Sequence, residues 1–155
     1  MTTEDAISHL NRLIETSKSG ELGYHTAAAN VHNTQLETIF NDYAKQRAGF
    51  ARQLQAEVER LGGTSTDSGT LGAAVHRGWM DVKSAVTGGD GAAMVAACET
   101  GEDHAAAEFE RVVNLDIPGQ TRSIVEKQWE KIKEAHARLL RLKEETSGAD
   151  YRKTD

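Results

Sequence analysis

The residues with the clearest chemical potential lie in the stretch Cys98-Glu99-Thr100-Gly101-Glu102-Asp103-His104. Read at helical period, the apolar stripe through it runs Met94/Val95, Cys98, Ala105, Phe109 and Val112. Glu102 falls on that stripe, and Glu99 sits three residues earlier on a neighbouring edge. A carboxylate turned into a helical core is costly unless a metal ion, a cation or a network of donors meets it. Three other segments also carry a polar or charged residue where an apolar one belongs, at Glu21, Arg47 and His136. Antiparallel packing brings helix middles to the same depth, so these positions predict a polar cluster at the centre of a bundle.

Other chemistries find little support. Thr87-Gly-Gly-Asp-Gly lacks the Lys-Ser/Thr and the preceding strand of a phosphate-binding loop. No serine or cysteine has a base at helical spacing for nucleophilic catalysis. Cys98 lies on an apolar stripe, where small buried cysteines are usually inert. In His76-Arg77-Gly78-Trp79, the tryptophan reads as core, the glycine as a close helix contact, and His76 and Arg77 as partners of neighbouring loops. His9, His25, His32 and His104 read as surface residues. Glu57, Glu59 and Arg60 read as a solvated face, as does the Lys/Glu alternation from Glu130 to Lys143.

Helices have to position the cluster. Frequent Ala, Leu, Glu, Lys and Arg, a single proline and no alternating apolar runs predict an all-helical chain. A first helix starts at Thr3 with acids in its first turn and an inward stripe Ile7, Leu10, Ile14, Ser17, Glu21, Tyr24, Ala28. It ends in a tight turn, Asn30 to Asn33, where Asn33 or Thr34 caps the second helix. That helix, Thr34 to Leu61, turns Leu36, Phe40, Tyr43, Arg47, Phe50, Leu54, Val58 and Leu61 inward and stops at Gly62-Gly63. Thr70 to Thr87 predicts a shorter amphipathic helix with Leu71, Val75, Trp79, Val82 and Val86 inward. Such an intervening helix carries the chain back along the bundle, so that the second and third long helices lie parallel; a five-helix up-and-down bundle is the other arrangement. The third long helix spans Gly91 to Asn114 and the fourth Gly119 to Glu145, with Ile124/Val125, Gln128/Trp129, Ile132, Ala135/His136, Leu139 and Leu142 inward. Residues 1–147 form one domain, and 148–155 a polar, frayed tail.

The net charge of −6 argues against nucleic acid as a partner, and the basic residues form no stripe. No apolar run approaches the roughly 20 residues that span a bilayer, and Met1-Thr-Thr-Glu-Asp is unlike a secretory signal. The single cysteine rules out an internal disulfide and suits a reducing compartment. These features predict a cytoplasmic protein without membrane contact.

Three patterns carry a resemblance: Ser19-Gly20-Glu21-Leu22-Gly23-Tyr24; Leu61-Gly62-Gly63 followed by His76-Arg77-Gly78-Trp79; and Cys98-Glu99-Thr100-Gly101-Glu102-Asp103. Over roughly residues 4 to 145 they resemble the PA2169-like family of four-helix-bundle proteins (DUF2383), placed among ferritin-like and rubrerythrin-like folds. The resemblance implies an antiparallel four-helix bundle with a crossover helix between its second and third long helices. The ferritin-like pattern holds two iron or manganese ions with carboxylates and imidazoles from all four helices. Glu21 resembles its first-helix ligand, Glu99 and Glu102 its third-helix pair, and His136 its fourth-helix histidine.

Arg47 stands where the second-helix glutamate is wanted, Phe50 where its histidine is, and Lys133 three residues before His136. A fixed guanidinium among the carboxylates opposes oxygen-rich coordination of two cations. An Arg47 fork bonded to Glu21 and Glu102 would instead neutralise them without metal. The expectation is a non-enzymatic, structural or interaction protein, stress-associated, with a salt-bridged core, no cofactor and room for a homodimer. The alternative is a rubrerythrin-like metalloprotein in which Glu21, Glu99, Glu102 and His136 hold a single iron, manganese or zinc ion for redox chemistry or storage. A small-molecule binder with a cavity between helices is a third possibility.

Overall fold

A computed structural model describes residues 1–65, Trp79 and 91–148. Among them are four helices, α1 (Thr3–Asn30), α2 (Thr34–Arg60), α3 (Gly91–Val113) and α4 (Gly119–Gly148), and no strand. The expected crossover helix lies outside the described residues apart from Trp79, and so does the tail beyond Gly148.

Local chemistry sets the helix ends. Thr2 caps α1 in a reciprocal box: its Oγ1 accepts from the Asp5 amide (3.0 Å), and Asp5 Oδ2 accepts from the Thr2 amide (3.3 Å). Asn33 caps α2 by accepting from the Leu36 amide at 3.0 Å. At the other end of α2, Gly62 takes φ +87°, a left-handed conformation that suits glycine. Its amide donates to Glu59 O and that of Gly63 to Val58 O, which closes the helix in a Schellman motif. Between α3 and α4, both Nη atoms of Arg122 donate back to the carbonyls of Val113 and Leu115 and clamp the corner at Pro118.

Side-chain pairs fix the directions. His9 meets Arg111 and Arg12 meets Glu108, so advancing along α1 means retreating along α3, and the two are antiparallel. Short turns make α1/α2 and α3/α4 antiparallel hairpins. Thus α2 and α3 run parallel: the chain leaves one end of the bundle and re-enters at the other. Trp79 lies between, packed against the middles of α1 and α3.

The core has two apolar halves. One gathers Tyr24, Ala27, Phe40, Ala44, Met94, Cys98 and Leu139; the other gathers Leu10, Leu13, Ile14, Leu54, Phe109, Val112, Val125 and Ile132. The inward stripes of α2, α3 and α4 follow the helical period, with Tyr43, Phe50 and Leu61 half-buried at the margins of α2. On α1 the stripe runs through Leu10, Leu13/Ile14, Ser17, Gly20, Tyr24 and Ala27/Ala28. No helix of the described residues is long and apolar enough to cross a membrane.

Candidate functional site: a buried ion pair between the core halves

Between the two halves lies Arg47. It is among the largest fully buried side chains, 1% exposed, and its partner Glu102 is 0% exposed. The guanidinium meets the carboxylate as a two-pronged fork. Nη1 donates to Oε1 in a very short contact, Nη2 donates to Oε2 at 2.7 Å, and Nε donates to Gln46 Oε1 at 3.2 Å. Charge-assisted pairs of this geometry are the strong ones, and pairing is what makes two such charges tolerable in an apolar core. The Arg47 carbon also lies 5.5 Å from the Tyr24 ring centroid and 5.7 Å from that of Phe50, within reach of cation–π attraction. Burial works against the Arg47 charge, but Glu102 outweighs it and raises the pKa above the ordinary value. Burial, and then the nearby Glu102 charge, push the Tyr24 hydroxyl and the Cys98 thiol well up, so both are held neutral.

The α1 side of this layer corrects the sequence reading. The expected inward Glu21 has a side chain 35% exposed and pairs with His25 at 3.9 Å; it does not meet Arg47. Gly20 takes the inward place. A Cβ there would stand 3.4 Å from Arg47 Cγ and 3.7 Å from Nη1, so the arginine packs against bare helix backbone. A 3.6-residue repeat allows either position after Ser17. The bulk of Arg47 and Trp79 selects the smaller one. The fork that was expected to divide between Glu21 and Glu102 closes on Glu102 alone.

The other two candidates stand apart from the centre. His136 has a side chain 24% exposed and lies on the rim, while Ala135 and Leu139 take the inward places on α4. Its Nε2 lies 2.9 Å from Glu99 Oε2 and 3.8 Å from Asp103 Oδ1, and Lys143 Nζ donates to Glu99 Oε1 at 3.1 Å. Burial raises the Glu99 pKa, yet hydrogen bonds from Lys143 and His136 prevail and leave it below the ordinary value. The four proposed ligands therefore divide three ways: Glu21 outward, Glu99 with His136 on the α3/α4 rim, and Glu102 at the centre with Arg47. Among the described residues no three His, Cys, Asp or Glu are grouped so as to hold a metal ion. With a guanidinium on the central carboxylate, this donor set does not fit a pair of divalent ions.

Two glycines of the resembling patterns, Gly23 and Gly101, are explained by Trp79. A Cβ on Gly101 would fall 2.5 Å from Trp79 Cδ2 and 2.6 Å from Cε2; one on Gly23 would fall 2.7 Å from Cδ2. The indole thus fills a slot between α1 and α3 that exists because both helices lack a side chain there. It meets the Tyr24 ring edge-on, with centroids 4.9 Å apart. Tyr24 in turn touches Phe40 and Tyr43, linking the ion pair to the core half that gathers Tyr24, Phe40 and Met94.

Sequence reading also missed Glu57, taken for part of a solvated face. It is 3% exposed and accepts from Arg60 Nε and Nη2 and from Thr121 Oγ1, the last at 2.5 Å. Arg60, and then Thr121, hold its carboxyl below the ordinary range against the effect of burial. Thr121 belongs to the first turn of α4, 64 residues away, a turn with no acid of its own. Nothing near Glu57 in the sequence announces that partner.

No curated protein matches the chain. Residues 5–115, which carry nearly all of α1 and the whole of α2 and α3 with Trp79 and the Arg47–Glu102 pair, match the family described as Domain of unknown function (DUF2383). That span is more than half of the chain, and the protein is a member of the DUF2383 family.

Proposed function

We propose that this protein is a ferritin-like bundle in which a salt-bridged core takes the place of a two-metal centre, and that it acts as a structural or interaction protein and not as an enzyme. The observation that carries the reading is the fully buried Arg47–Glu102 fork. A guanidinium keeps its charge throughout the physiological range, so it repels a divalent cation and occupies both oxygens of the central carboxylate. The ferritin-like part is supported by topology: two antiparallel hairpins with α2 parallel to α3 require one long connection between them. At the centre of the bundle, Tyr24 and Cys98 are enclosed and held neutral, so neither is a ready nucleophile or base there.

The test is metal analysis of protein purified without chelator. The reading expects far less than one iron, manganese or zinc ion per chain and a melting temperature indifferent to chelator. Near-stoichiometric metal that disappears in Glu102→Ala would overturn it. A second reading draws on the Glu99–His136 contact, a carboxylate and an imidazole from two helices at 2.9 Å. In that case a single metal ion serves redox chemistry or storage at the rim. It predicts metal that is lost in Glu99→Ala and kept in Glu102→Gln.

A further inference from the structure

We draw no further inference here: the strongest candidate, the side-chain cluster of Glu99, Asp103, His136 and Lys143 along the groove between α3 and α4, belongs to the site already described and satisfies its charges by its own ion pairs.

Discussion

Replacing Arg47 with leucine keeps an apolar stem in the core and leaves Glu102 without its cation. At 0% exposure that carboxylate has no water to turn to, so it can remain charged at great cost or take up a proton. Protonation sets the upper limit of the penalty. An ordinary glutamate titrates near about 4.3, and each pH unit is worth about 1.4 kcal/mol, so holding one neutral at pH 7 costs about 3–4 kcal/mol. Loss of the Tyr24 and Phe50 contacts with the guanidinium adds about 0.5–1 kcal/mol or more. Arg47→Leu should therefore destabilise the fold by about 3–5 kcal/mol at pH 7, the range seen when one member of a buried pair is removed. At about 2–4 °C per kcal/mol for a domain of this size, the melting temperature should fall by about 6–20 °C. Urea unfolding at several pH values tests the cause as well as the size. In the variant the native state binds a proton that the unfolded chain lacks, so the penalty should shrink by about 1.4 kcal/mol per unit as the pH falls from 7 towards 5. The double change Arg47→Leu with Glu102→Leu should recover most of the loss, because apolar replacements of buried pairs are often neutral or stabilising. A single-variant change within about 0.5 kcal/mol, or a loss independent of pH, would refute the assignment of Arg47 as the partner of a buried carboxylate.

Gly101→Ala should destabilise by about 1–3 kcal/mol, because its Cβ meets Trp79, although alanine is the better helix former by about 1 kcal/mol. In a Trp79→Ala background, measured by chemical denaturation, the same change should become neutral or stabilising. Glu57, Glu99 and Glu108 are all held below the ordinary glutamate value in the native state by their hydrogen-bonded partners. The stability they contribute is present in full above that value and is lost as the pH falls through their native pKa values. Glu57→Gln should consequently flatten part of the decline in urea midpoint below about pH 4.5, with little added slope above pH 6. Finally, the Cys98 thiol should resist alkylation at pH 8 under native conditions and react only as fast as the protein opens; rapid stoichiometric labelling would show that it is accessible.

What the sequence revealed and what it concealed divide along a physical line. Helix positions follow from periodicity and end chemistry, which are local: Asn33, Gly62 and Pro118 punctuate the chain where the helices begin or end. The apolar stripes of α2, α3 and α4 follow from the same repeat, and Glu102 was conspicuous because it broke one. On α1 the repeat was ambiguous between Gly20 and Glu21. A glycine gives no inward signal of its own; its role comes from Arg47 and Trp79, which are distant in the chain. His136 sits one position from the true inward residue, Ala135, a displacement of about 100° around a helix with 3.6 residues per turn. Glu57 shows the same limit, since one of its buried partners, Thr121, comes from another helix.

The charged layer at Arg47 and Glu102 has a consequence for how the helices can slide. Were α3 to slip by one turn along α2, a shift of about 5.4 Å, Arg47 would face Cys98 or Ala106 and Glu102 would face apolar surface, so both charges would be stranded together. Leucine and alanine contacts tolerate such slippage with modest loss, whereas a buried cation and anion act like the notch of a ruler and favour one alignment.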